Sequence, residues 1–251
     1  MTERCPARCD TCYLDAGPQG VDADPAALEA DLDALAAAGV FEVALGGGEA
    51  TARRELVALG RRIRARGMVP NLTTSGFGLD AETARAMAEV FGQVNVSVDG
   101  LGAGYRAVRG WDGTGVAERA IAHLVAAGAR VGANTVLVRD SVDGLAALGR
   151  GLAARGVAEW QWLRLKPAGR ARAAYAERAL TAAQASSLWA GRWRWRPRRG
   201  SWCAGTVLMV PFWPSTGCRP SGCGSWGGGC PGGLVVAGAG GDGAGAPLVR
   251  A

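Results

Sequence analysis

The chain has 251 residues, 49% of them apolar, enough to bury a core and to exclude wholesale disorder. Its lone histidine, His123, argues against Ser-His-Asp triads, His-rich zinc sites and H-E-x-x-H chemistry. The net charge of +6 is uneven: residues 1–177 carry 21 acidic and 20 basic side chains, whereas residues 178–251 carry one acid, Asp242, and eight arginines. A nucleic-acid reading of the charge therefore concerns the tail alone.

The opening Met1–Cys5 has no apolar segment of the kind that begins a secretory signal, and no run of about 18 apolar residues exists to span a membrane. A cytoplasmic setting is expected, where closely spaced cysteines bind metal or react more often than they form disulfides. Lys166 is the only lysine. With the excess of Ala, Gly and Arg, this reads as G+C-rich coding.

Asp24-Pro25 caps a first helix that carries Leu28, Leu32 and Leu35 and ends at Gly39. Val40–Leu45 reads as a strand, followed by Gly46-Gly47-Gly48-Glu49. A helix over Arg53–Arg66 stops at Gly67, and Val69–Thr74 is the next strand, turned by Ser75-Gly76. The pattern repeats with a helix at Asp80–Phe91, a strand at Val94–Val98 ending in Asp99-Gly100, and a helix at Ala117–Ala127. A strand at Val131–Val138 carries Asn134, and a helix covers Leu145–Arg155. A strand at Trp160–Leu165 runs into Lys166-Pro-Ala-Gly-Arg170, and a last helix covers Thr181–Trp189. Such alternation with short connections implies a parallel sheet with right-handed crossovers. Without a GxGxxG turn it favours a barrel-like α/β wrap, with function at the C-terminal strand ends. Trp160 and Trp162 are expected in the core, and His123 as a structural histidine on an apolar helix.

Cys5, Cys9 and Cys12 are spaced C-x3-C-x2-C within eight residues. Three thiolates on one short loop suit three irons of a [4Fe–4S] cluster and leave the fourth iron without a protein ligand. A partial zinc site or three free thiols are the alternatives; zinc would want a nearby fourth ligand, and no further Cys follows until Cys203.

With this loop the sequence resembles the radical S-adenosylmethionine (radical SAM) enzymes, from Cys5 to about Arg170. The resemblance implies a partial (βα)6 barrel. It also implies a [4Fe–4S] cluster on Cys5, Cys9 and Cys12 whose open iron takes the amino and carboxylate groups of SAM. Reductive cleavage of SAM to methionine and a 5′-deoxyadenosyl radical would then abstract a substrate hydrogen. Gly47-Gly48-Glu49 resembles the family's G-G-E motif, which meets the SAM amino group. Val96–Gly100, with Tyr105 and Arg109-Gly110, resembles the fourth strand and its loop, making Ser97 and Asp99 candidates for SAM contact; Asp99 could equally cap the next turn. Ser75 and Asn134 stand where the third and fifth strands present SAM-contacting groups. The run Leu163–Arg170 resembles the peptide-modifying branch, which carries a Cys-rich C-terminal extension termed SPASM. A peptide substrate and a reductase or flavodoxin-type electron donor are the partners implied.

Three features depart from that pattern. Thr11, not an aromatic residue, precedes the third cysteine, and Tyr13 follows it. Only Met1–Arg4 stands where a first barrel strand is expected, so the strand is missing or the natural start lies upstream. The tail cysteines Cys203, Cys218, Cys223 and Cys230 lack a C-x2-C core. The core domain is therefore set at 1–190 and an irregular Arg/Trp/Gly/Cys-rich tail at 191–251. Six of nine tryptophans lie in 189–226 and 15 glycines in 200–251. Alternating Trp and Arg at 193–199 could stack on nucleic acid or meet a membrane surface. Codons read out of frame explain the composition better, so the tail is expected to be poorly ordered, and neither a nucleic-acid nor a membrane partner is expected. A non-catalytic Fe–S or zinc protein and nucleic-acid binding through the basic tail are the alternative functions.

Overall fold

The computed structural model describes residues 1–190 and the pair Val235–Val236. In chain order its elements are α1 (Pro25–Ala37), β1 (Glu42–Leu45), α2 (Leu56–Ala65), β2 (Val69–Thr74), α3 (Ala81–Val90) and β3 (Gln93–Ser97). Then follow α4 (Ala103–Arg109), α5 (Thr114–Ala126), β4 (Val131–Leu137), α6 (Leu145–Ala154), β5 (Glu159–Arg164), α7 (Tyr175–Arg178), α8 (Ala182–Ala190) and β6 (Val235–Val236). The sheet runs β5-β4-β3-β2-β1-β6, with β1 to β5 parallel and β6 antiparallel on β1.

Alternation along the strands divides the sheet into two faces. Val43, Leu45, Leu72, Val94, Val96, Val131 and Ala133 point into one apolar cluster with α1, α2, α3, α5 and α6. Leu35, Ile63, Met87 and Leu124 fill it from the helix side. The intervening residues form a polar face opposite the helices. Asn71 there donates to Glu42, and Asn134 Nδ2 reaches Thr73 Oγ1 at 3.5 Å. Ser97 and Asn134 are paired in register on β3 and β4. A sheet covered by helices on one side and polar on the other is half of a barrel wall, with no helix among the described residues packed as a layer on its inner surface.

The expected strands stand within two residues of their predicted bounds, and Asp24 and Asp80 cap α1 and α3 through the Ala27 and Thr83 amides. Trp160 and Trp162 pack edge to face, 5.3 Å between centroids, on the helix side with Leu137 and Leu145. α4 is an addition. Its seven residues follow Gly102, which offers no side-chain cap, and include Gly104, so they carry little helical signal of their own. Tertiary burial of Tyr105 and Val108 holds them.

No full first barrel strand precedes the cysteine loop among the described residues. Thr2 bridges Asp22 and Arg4 bridges Gly17. The Thr2 and Arg4 carbonyls accept from Gly48 N–H (2.7 Å) and Glu49 N–H (2.8 Å). The N-terminal residues thus stitch onto the loop after β1, while β6 lies along the β1 edge. The Arg/Trp run and all four tail cysteines lie outside the described residues. No helix among the described residues is long and apolar enough to cross a membrane.

Candidate active site

Cys5, Cys9 and Cys12 are free thiols on one loop; Cys5 and Cys9 are buried and Cys12 is partly exposed. The loop is tied by Cys5 N–H to Gly17 O (2.9 Å) and closed by Cys12 N–H to Cys9 O (3.1 Å). Burial pushes the Cys5 thiol up, so it holds its proton more tightly than an exposed cysteine. Arg8 and Asp15 adopt positive φ, 46° and 57°, a conformation that non-glycine residues keep only where the surroundings enforce it.

One group that holds the loop is Arg170, in the run that follows β5. Its Nε donates to Cys9 O (2.9 Å), Nη1 to Asp15 Oδ1 (2.7 Å) and Nη2 to Ala16 O (2.9 Å). Gly169 precedes it with φ +55°, and a Cβ there would lie 2.5 Å from the Cys12 carbonyl oxygen, so only glycine lets the two backbones meet. Lys166 Nζ stands 4.1 Å from the centre of the Tyr13 ring, a cation–π contact across the same junction. Replacing Arg170 by Ala should free the loop, with amide hydrogen exchange over residues 9–16 rising about tenfold for the loss of about 1.4 kcal/mol of charged hydrogen bonding. Lys should not restore protection, because one ammonium cannot span three divergent acceptors.

Two more side chains converge on Cys9. Trp111 Nε1 lies 3.2 Å and Arg109 Nη1 3.6 Å from its Sγ. Arg109 also pairs with Asp99 through Nε (2.5 Å), with Asp99 1% and Arg109 11% exposed. Burial works against the guanidinium charge, and the Asp99 carboxylate more than offsets it, so Arg109 is held firmly protonated. Asp99 Oδ1 accepts Val136 N–H (2.6 Å), which ties the pair to β4. Asp99, a candidate for SAM contact or turn capping, therefore spends both oxygens inside the wall, linking strand and cysteine loop.

The Gly47–Glu49 turn sits at the C-terminal end of β1. Gly47 has φ +147°, and a Cβ there would come within 2.4 Å of the Thr2 carbonyl oxygen. Glu49 is 1% exposed. Its Oε1 accepts from Thr51 N–H (3.2 Å) and Thr74 O–H (2.5 Å), and its Oε2 from Ser75 N–H (2.8 Å) and O–H (2.6 Å). The Thr51 hydroxyl also lies 2.8 Å from Oε1, so donors occupy both oxygens of the carboxylate and join the ends of β1 and β2. Ser75 is thus engaged with Glu49. Among the described residues, the buried Oδ1 of Asn134, 8% exposed on the polar face, has no partner, nor has the Tyr105 hydroxyl. A buried unpaired acceptor on the inner wall fits a ligand that brings a donor.

All these groups collect at the C-terminal ends of the parallel strands. The donor set suits an iron–sulfur cluster: three free thiols on one preorganised loop, with N–H donors and a cation facing one sulfur. No three His, Cys, Asp or Glu side chains among the described residues converge on one point, as a single bound ion would require. Trp111 was not singled out by sequence reasoning. The available signal was its place two residues beyond Arg109, but the contact with Cys9 spans about a hundred residues of chain.

The Radical SAM superfamily model matches residues 1–145. The PqqA peptide cyclase of Methylocella silvestris is 31% identical over 148 residues, 57% of this chain and 40% of that protein. The pre-heme d1 synthase of Dinoroseobacter shibae is 36% identical over 114 residues, 44% of this chain and 28% of that protein. The chain therefore spans two-fifths or less of these relatives. Streptococcus suis SuiB bound to S-adenosylmethionine aligns with a TM-score of 0.58 at 16% identity, over 66% of this chain and 39% of SuiB. SuiB bound to precursor peptide SuiA gives 0.57 at 18%, over 66% and 38%.

Proposed function

Because the chain belongs to the radical SAM superfamily, whose members use a [4Fe–4S] cluster and SAM, we propose that it is a radical SAM enzyme acting on a peptide. Cys5, Cys9 and Cys12 hold the cluster. When bound, the cluster supplies the single electron that cleaves SAM to methionine and a 5′-deoxyadenosyl radical, the species that takes a hydrogen atom from the substrate. The observation that carries the reading is the loop of three thiols, clasped by Arg170 at the mouth of a half-barrel whose inner wall is polar.

The chain's own residues divide the remaining work. The backbone of Gly47 and Gly48 gives close approach to the SAM amino group, with the Glu49 carboxylate holding that turn against β2 through Thr74 and Ser75. Ser97 and Asn134, side by side on β3 and β4, meet SAM on the inner wall, where the free Oδ1 of Asn134 accepts a hydroxyl or amine proton. Asp99 acts through Arg109. The buried Cys5 and Cys9 sulfurs keep water from the reactive centre. Peptide modification is supported by the peptide cyclase among the relatives and the precursor peptide bound to SuiB. A reductase or flavodoxin-type electron donor and a cytoplasmic setting, where the thiols stay reduced, belong to the same proposal.

Anaerobic reconstitution with iron and sulfide tests it. The expected product is a brown protein with about four irons and about four sulfides per chain. With dithionite and SAM it should release 5′-deoxyadenosine. Bound zinc, or a cluster with no SAM cleavage, would reject the enzymatic reading in favour of a non-catalytic metal protein.

A further inference from the structure

We propose that Trp111, with Arg109 beside it, is a positioning residue that sets the reduction potential of the bound cluster by donating to the sulfur of Cys9. This inference rests on the reading of Cys9 as a cluster ligand. Two cationic or N–H donors on one thiolate withdraw charge from it and favour the more negative, reduced state of the iron it binds.

The geometry is built for this contact. The Trp111 ring is held between Phe77, 5.1 Å between centroids, and Tyr105, 5.5 Å and edge-on at 76°. Two aromatic neighbours fix the direction of the indole N–H. The backbone is fixed as well. Arg109 O accepts Asp10 N–H at 3.1 Å, and Gly110, φ +81°, turns the chain so that residues 109 and 111 both reach back to the loop. The Asp99 carboxylate keeps the guanidinium in place at Sγ. The indole nitrogen thus stands 3.2 Å from the Cys9 sulfur, on the same atom that Arg109 faces.

The test compares reconstituted wild type with Trp111→Phe. Iron and sulfide should be unchanged. In a redox titration followed by electron paramagnetic resonance, the ratio of reduced to oxidised cluster at a fixed potential should fall about tenfold, equivalent to a midpoint about 59 mV more negative. In deuterated buffer, wild type should exchange a proton coupled to the reduced cluster, and the variant should lack that coupling. Should Trp111→Phe fail to fold, 3-benzothienylalanine at position 111 keeps the ring shape without the N–H, and the same shift is expected. An unchanged potential and coupling in a variant with full iron content would overturn the inference. A wild-type chain that assembles no cluster would instead overturn the reading on which it rests.

Discussion

Cys9→Ala should abolish cluster assembly, with iron after anaerobic reconstitution falling from about four per chain to near zero and reductive SAM cleavage falling with it. Cys9 is the most heavily supported of the three thiols. Its sulfur faces Trp111 and Arg109, and its carbonyl accepts from Cys12 N–H and Arg170 Nε. Removing the sulfur deletes one of three ligands and takes the acceptor from the Trp111 indole N–H, while Arg109 keeps Asp99. Fold loss is a separate matter, because the backbone anchors survive the substitution. Far-ultraviolet circular dichroism of the variant should therefore match wild type while the visible absorbance disappears. A normal iron count in Cys9→Ala would show that the ligand assignment is wrong.

The largest effect on stability is expected at Arg109. Arg109→Ala leaves the Asp99 carboxylate, 1% exposed, without its counter-ion. Breaking a buried pair from one side costs about 3–5 kcal/mol. For a domain of this size that corresponds to a melting temperature lower by roughly 6–20 °C. The partner substitution Asp99→Asn should recover part of the loss in the double variant, because it removes the charge that Arg109→Ala strands; Val136 N–H keeps an acceptor in the asparagine oxygen. The double variant should therefore be more stable than Arg109→Ala alone, measured by denaturant unfolding. Equal stability of the two would mean that the loss in Arg109→Ala does not come from a stranded Asp99 charge. Trp111→Phe separates from this pair: it touches the sulfur and leaves the ion pair intact.

Much of the scaffold was legible in the sequence because it rests on local periodicity. β2 stands where its Val69–Thr74 pattern puts it, and β3, β4 and β5 fall within a residue of their alternating runs. The three cysteines were legible as one loop because they lie within eight residues. What escaped depends on contacts distant in the chain. α4 has no capping side chain and a glycine in its first turn, and it exists because Tyr105 and Val108 are buried by other elements. Asp99 looked equally like a ligand contact or a turn cap; its partner Arg109 is on the next helix and its second partner, Val136, on the neighbouring strand. Glu49 was visible as part of the Gly47-Gly48-Glu49 motif, but its hydrogen bonds to Thr74 and Ser75, twenty-five and twenty-six residues on, belong to the folded chain. The Pro-Ala-Gly-Arg run was visible as a motif, but the clasp of Arg170 on Cys9, Asp15 and Ala16 belongs to the folded chain alone.

The charge divides in the same way. Within residues 1–177 acids and bases balance, and the buried or partly buried arginines have named partners: Arg53 on the Met1 and Ala23 carbonyls, Arg109 on Asp99, and Arg170 on the cysteine loop. Arginine serves here as a structural fork more than as a binding surface, which its planar, multi-donor geometry suits. The excess of positive charge lies beyond residue 177.

The central claim is that Cys5, Cys9 and Cys12 together hold a four-iron cluster with one iron open to SAM. Electron paramagnetic resonance of the reconstituted, dithionite-reduced chain, recorded with and without SAM, tests it most directly. A reduced [4Fe–4S] signal whose g-values move when SAM is added is the predicted result. A spectrum that SAM leaves unchanged, or a chain that carries no such signal, would contradict it.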